Sequence, residues 1–169
     1  IITQQPSRAQ LAFILYDVGT IVFVVGIHLE LIHADTIGAA LSGLCVQYLG
    51  QAAFLMALLW FVSEFVKLRI PKWIYIVQLI VNIITLTGVF TAEHHTYFYK
   101  SMEILRDGMY DRIEVTGGII WYLHYAHLAA VFLGLFIMCA IRYPGSANLQ
   151  KKRICYVITG IGAMCIELI

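Results

Sequence analysis

Three runs of the chain contain no Asp, Glu, Lys or Arg: Ile37–Val62, Trp73–Phe90 and Gly117–Ile141, of 26, 18 and 25 residues. A fourth apolar run, Leu11–Ile32, is interrupted by Asp17, His28 and Glu30. At 1.5 Å of helical rise per residue, each run reaches about 27 Å or more, enough for the hydrocarbon core of a bilayer. A span must satisfy its own backbone hydrogen bonds, so these runs are helices unless they close a barrel. The strict alternation of a barrel strand is absent. A fifth apolar run begins at Ile154 and has reached 16 residues at Ile169. The expected fold is all-α: one integral membrane helical bundle of about five transmembrane helices, at 11–32, 37–62, 73–90, 117–141 and 154–169.

Composition agrees. Only 12% of residues are charged, against about 25% in a soluble domain. The net charge of +1 gives no reason to expect nucleic acid as a partner; the expected partner is the lipid bilayer. The chain starts at Ile1, and its last run falls short of the roughly 20 residues of a span. It therefore reads as a piece of a longer protein. Thr3–Gln10 is polar, unlike a signal peptide. Cys45, Cys139, Cys155 and Cys165 all lie in apolar runs without a CxxC pair, as buried free thiols do.

The distribution of basic residues orients the bundle. Arg8, Lys67, Arg69, Lys72, Arg142, Lys151, Lys152 and Arg153 share one side if the spans alternate. Lys100, Arg106 and Arg112 fall on the other. This positive-inside bias makes the turns at 67–72 and 142–153 cytoplasmic and the loop at 91–117 extracytoplasmic, in a plasma membrane. The stretch Thr91–Trp121 is the one long polar passage and holds five of the ten acidic residues. Within it, SMEILRDGMYDRIEV has the residues for a short amphipathic helix at the interface, with a solvated loop as the alternative.

All six histidines, His28, His33, His94, His95, His124 and His127, fall in the extracytoplasmic half. His124 and His127 are three residues apart, on one helical face. Glu30, Asp35 and Glu93 share that depth. Histidine titrates nearest physiological pH, so this level is the candidate for sensing a small molecule or a pH change. Haem or a metal on these histidines is a further option, although no specific metal motif is present. The candidate sensing residues are Glu30, His95, His124, His127 and Tyr125; interfacial histidines with no such role are the plainer reading.

A second group lies deeper. Asp17, Gln51, Gln78 and Asn82 come to similar depth when counted from the span ends. An ionisable group in a span costs about 2.5–3.5 kcal/mol or more, so it should face a partner or a cavity. These four are expected to form an intramembrane polar cluster, as interhelical hydrogen-bond glue or as a relay. Small residues also pattern: Gly38 with Ser42, Ala39 with Gly43, and Gly19 one heptad from Gly26. They permit close helix approach, within the bundle or along a homodimer seam. Aromatics such as Trp73, Trp121, Tyr122 and Tyr125 mark span ends, as an interfacial belt does. No nucleophilic triad, phosphate loop or paired-carboxylate pattern is present, so no catalytic site is expected in these residues.

Four short motifs carry a resemblance. The first span ends in His28-Leu29-Glu30-Leu31. The second carries Gln47-Tyr48-Leu49-Gly50. The third leads into Thr91-Ala92-Glu93-His94-His95-Thr96-Tyr97-Phe98-Tyr99. The fourth opens Gly117-Gly118-Ile119-Ile120-Trp121. With the order of loops, they resemble the seven-transmembrane N-terminal sensor region of bacterial histidine kinases and diguanylate cyclases, as helices two to six of seven. A proline expected after the tyrosine-leucine-glycine is replaced here by Gln51-Ala52. The resemblance implies a membrane sensor that passes a stimulus to a cytoplasmic output domain. The alternative is a haem- or quinone-binding, or structural, subunit of a membrane redox or transport complex.

Overall fold

The computed structural model describes residues 6–32, 35–105 and 112–167. It consists of five helices and one two-stranded sheet: α1 (Arg8–Ile32), α2 (Ile37–Val66), α3 (Lys72–Phe90), β1 (Tyr99–Leu105), β2 (Arg112–Gly117), α4 (Ile119–Arg142) and α5 (Asn148–Glu167). The first four helices, α1 to α4, are each long and apolar enough to cross a membrane. Of the charged residues that open α5, Lys151, Lys152 and Arg153 lie in its first two turns, so among the described residues it does not reach that threshold.

Helix boundaries follow local chemistry. Thr36 caps α2, its Oγ1 accepting the Ala39 N–H at 3.2 Å. Helix α2 ends at Lys67, whose φ of 55° is the left-handed geometry of a helix terminus. Pro71 then precedes α3, where its missing N–H costs nothing. Arg142 in the last turn of α4 complements the helix dipole.

The tightest packing joins α1 and α2. Gly19 faces the backbone of Phe54, Gly50 that of Phe23, Gly26 that of Gln47 and Gly43 that of Glu30. Along α1 these contacts step by four, three and four residues, which is a heptad seam run antiparallel. A Cβ on any of the four glycines would overlap the facing main chain. Gly19 and Gly26 stand out as a heptad in the sequence, and Gly43 as the partner of Ala39; the structure pairs the first two with Phe54 and Gln47 and brings Gly43 and Gly50 of α2 against α1 as their complement.

Two buried clusters fill the bundle. One joins Phe54, Leu58 and Val62 of α2 to Phe132 and Leu135 of α4 and Ile154 of α5. The other lies beneath the hairpin, where Leu41, Leu44 and Tyr48 of α2 meet Val89 of α3 and Phe98, Tyr99 and Ile113 of the hairpin. Helix α1 contributes little to either and presents Val18 and Ile21 outward, 52% and 63% exposed. Such a surface suits lipid.

The polar stretch departs from expectation. Residues 101–105 and 112–115 do not form an amphipathic helix; they pair as antiparallel strands, Met102 opposite Val115 and Ile104 opposite Ile113. Residues 106–111 lie outside the described residues. The physical reason is alternation: Met102, Ile104, Ile113 and Val115 turn inward, while Ser101, Glu103, Glu114 and Thr116 are exposed. Ser101 donates to Thr116 across the pair at 3.0 Å. A period of two turns four apolar side chains toward the bundle end, Ile113 buried and the other three half-buried, which a helix would place around its circumference.

Replacing Gly43 or Gly50 by Leu should force α1 off α2 and lower stability by about 1–3 kcal/mol or more. Gly160, which has open space where a Cβ would point, should tolerate Ala without loss. Thermal unfolding of the detergent-solubilised protein checks both; a neutral Gly43→Leu would refute the close contact.

Candidate functional site

The hairpin end of the bundle holds an aromatic stack that runs into a polar seam. Tyr97 and Phe98 reach the site because the chain doubles back on itself there. Gly118 N–H donates to Phe98 O at 2.7 Å and Ile120 N–H to Tyr97 O at 3.0 Å. Gly118 is required at this crossing, since a Cβ would strike the Tyr97 carbonyl. Phe98 and Tyr99 are thereby driven fully into the bundle, 0% and 2% exposed. Phe98 packs edge-on against Tyr48 at 5.2 Å between ring centroids, and Tyr48 edge-on against His124 at 5.1 Å.

His124 ties three helices together. Its Nε2 donates to Gln51 Oε1 of α2 at 3.2 Å, and Thr85 Oγ1 of α3 donates to its Nδ1 at 3.4 Å. Those partners assign the Nε2–H tautomer. One step deeper, Asn82 Nδ2 donates to the Ala52 carbonyl of α2 at 3.4 Å. Gln78, Asn82 and Thr85 recur at four and three residues along α3 and form one face toward this seam.

Around Tyr99 stand Tyr48, Tyr125, Cys45 and the Glu30 carboxylate. Burial raises the Tyr99 phenol well above its ordinary range; the Tyr48 hydroxyl opposes this, while Glu30 and Tyr125 add to it. Tyr99 is therefore a protonated hydrogen-bond donor at any physiological pH. Glu30 reaches this position because its own backbone sits against Gly43.

The structure distributes the sequence candidates unevenly. His124 packs on Tyr48 and on Tyr125, and the Glu30 carboxylate lies near enough to Tyr99 to act on it electrostatically. His95 stands apart, in a closed local arrangement. Thr91 Oγ1 donates to Thr87 O at 2.6 Å and accepts from His95 Nε2 at 2.8 Å, while Tyr97 N–H donates to His95 Nδ1 at 3.3 Å. This bracing fixes the path from α3 into the hairpin. His127 turns away from His124, toward a groove between α3 and α4. Of the deeper group, Gln51, Gln78 and Asn82 are buried together at the α2–α3–α4 interface. Asp17 lies half-buried on α1 and, among the described residues, makes no hydrogen bond to them.

The other histidines do not converge on one point. His28 bonds to the Val24 carbonyl of its own helix at 2.9 Å, and His94 is exposed; His33 lies outside the described residues. Among the described residues no three His, Cys, Asp or Glu side chains are grouped to hold a metal ion. Thr85 is the seam residue that sequence reading passed over; its position one turn beyond Asn82 on the same face was the available signal.

A family described as the N-terminal 7TM region of histidine kinase matches residues 1–167. The chain belongs to that family. No curated protein and no solved structure matches it. It is accordingly a multi-pass membrane region of a histidine kinase, of the sensor type. The tyrosine-leucine-glycine motif acquires a physical meaning in it: Tyr48 enters the aromatic stack, Leu49 is 48% exposed, and Gly50 meets α1.

The seam can be measured directly. Gln51→Leu or His124→Leu alone should destabilise by about 1–3 kcal/mol, because each strands a buried partner. The double variant should recover part of that loss, with a coupling of about 0.6–1.7 kcal/mol, the range for hydrogen bonds between membrane helices. Strictly additive losses in a double-mutant cycle would show that the two side chains do not interact.

Proposed function

We propose that this region detects an extracytoplasmic or membrane-borne stimulus at its hairpin end and passes it to the cytoplasmic kinase output. The carrying observation is the unbroken contact from hairpin to helices: Phe98 on Tyr48, Tyr48 on His124, and His124 on both Gln51 and Thr85. A stimulus that reseats Phe98 and Tyr99 alters contacts on α2, α3 and α4 at once. The ligand does this only if it binds two arrangements with different affinity. Moving the balance from 1:99 to 99:1 takes about 5.5 kcal/mol of differential binding. Glu30, Tyr125 and His124 form the floor of the sensing site, and His95 holds its rim through Thr91 and Tyr97.

The orientation that serves this role puts the hairpin outside the cytoplasmic membrane. The basic residues of the turns at 67–72 and 142–153 support it, since they gather at the end opposite the hairpin. Lys151 sits 5.5 Å from the Tyr143 ring centroid there. In a background lacking the native cysteines, Ser101→Cys in intact cells should react with a membrane-impermeant maleimide, whereas Ser146→Cys should react only after lysis. The reverse pattern would invert the topology and remove the site from the outer face.

The functional test uses the full-length kinase in cells, with output phosphorylation as the readout. His124→Ala should abolish the response to stimulus while the protein still inserts, and His95→Ala should do the same by loosening the rim. Phe98→Ala should change basal output in the absence of stimulus. Unchanged response in both histidine variants would sink the site.

A further inference from the structure

A second cavity, separate from the hairpin site, lies between α3 and α4. Its volume is about 460 Å³, within the ordinary range for small-molecule sites. It extends along α4 from His127 to Met138, about 16 Å at helical rise. Val77, Ala130 and Val131 make its walls apolar, Trp73 stands at one end, and Gly134 leaves its floor open. A Cβ at Gly134 would meet no atom within 4 Å. The exposed Arg69 lies at the mouth near the start of α3.

Besides Arg69 at the mouth, two polar residues border this otherwise apolar groove. Gln78 is 2% exposed, and neither its Oε1 nor its Nε2 has a hydrogen-bond partner among the described residues. His127 is in the same condition: both ring nitrogens are buried and without partners there. Orphaned polar groups at this depth are costly, and native structures pair them with protein, water or ligand. Gln47 Oε1 and Asn82 Oδ1 are also unpaired among the described residues, but only Gln78 and His127 lack partners at every polar side-chain atom, and both border the groove.

We infer that this groove binds a neutral, membrane-dissolved amphiphile whose carbonyl or hydroxyl head pairs with Gln78 and His127 while its apolar body lies along Val77, Val131 and Gly134. Both protein groups are uncharged hydrogen-bonders that can donate or accept. They suit a ketone oxygen and a hydroxyl equally, which is the chemistry of a lipid quinone and its quinol and also of a neutral glyceride. A fatty-acid carboxylate fits less well. Placed at Gln78, some 9 Å along α3, it would bring a charge into hydrocarbon. Placed at Arg69, it would leave Gln78 and His127 unpaired.

The test uses the full-length protein in nanodiscs of a single phosphatidylcholine. The probe is a decyl-naphthoquinone, read by quenching of tryptophan fluorescence, since Trp73 borders the groove. Wild type should quench saturably. Gly134→Phe, whose Cβ meets no atom within 4 Å and whose ring occupies the groove, and Gln78→Leu should each weaken the affinity by about tenfold or more. Displacement of the probe by a monoacylglycerol would assign the site to neutral lipid heads in general; resistance to it would confine the site to the quinone ring. Without probe, Gln78→Leu should melt at or above the wild-type temperature, because it removes an amide with no partner. Linear quenching that is the same in wild type and both variants would overturn the proposal. A marked fall in the melting temperature of Gln78→Leu without probe would overturn it as well, by showing that the amide is already satisfied within the bundle. Neither outcome touches the hairpin aromatics or His124, which lie outside the groove's wall.

Discussion

In hydrocarbon the hydrophobic effect does not press helices together, because a lipid tail is as apolar as a leucine. What remains is close packing, and the glycine contact between α1 and α2 provides it in concentrated form. Four glycines on two helices let main chain meet main chain over about 16 Å, from Gly19 to Glu30 of α1. The remaining architecture depends on that contact. It lets α1 present most of its apolar side chains outward, since its attachment rests on backbone contact supplemented by a few aromatic pairs, Phe13 on Phe61 and Tyr16 and Phe23 on Phe54. It also sets the position of Glu30, whose backbone rests on Gly43, and hence the distance of the carboxylate from the Tyr48–Tyr99 pair.

The hairpin solves a different problem. The ends of α2 and α3 carry Leu41, Leu44 and Val89, which would otherwise lie open at the membrane surface. A two-stranded hairpin alone is marginal in water. Here it gains its support by inserting Phe98 and Tyr99 between the helices and by the crossing at Gly118. Fold and site are thus joined: the aromatics that anchor the hairpin rest on Tyr48, and Tyr48 in turn touches His124 of the polar seam.

The spans were legible from sequence because hydrocarbon imposes length and apolarity one segment at a time, with no knowledge of partners. The contacts between segments were not legible in that way. Gly19 and Gly26 could be seen as a spacing, but nothing on α1 reveals that Gly43 and Gly50 are their complement. The hairpin was missed because Met102, Leu105, Met109 and Ile113 also recur at helical spacing, and the competing alternation has meaning only once a second strand covers it. His124 and His127 share a face only loosely: at about 100° per residue, three residues leave them some 60° apart. That angle is enough to direct His124 into the seam and His127 into the groove. Gln51, Gln78 and Asn82 were readable because a polar side chain in a span has few places to go. Asp17 had the same prior and lies half-buried on α1, away from them.

The contrast between the two kinds of helix contact bears on how a signal could cross the bundle. Helix α2 touches the hairpin, α1, α3 and α4, and its Phe65 carbonyl accepts from Gln150 of α5. It cannot shift against α1 without breaking the glycine register, because glycine-to-backbone contacts tolerate no sliding short of a full heptad step. Toward α3 and α4 it packs apolar side chains, such as Phe54 and Leu58 on Phe132 and Leu135, and makes hydrogen bonds of 3.2 to 3.4 Å through Gln51, the Ala52 carbonyl and His124. Bonds of that kind average about 0.6 kcal/mol between membrane helices, because displaced partners readily find others. Gln78 and Gln47 beside the seam hold unpaired oxygens able to serve as those others. The soft direction of the bundle is therefore a shift of α3 and α4 against the α1–α2 pair, along the seam on which the hairpin aromatics rest.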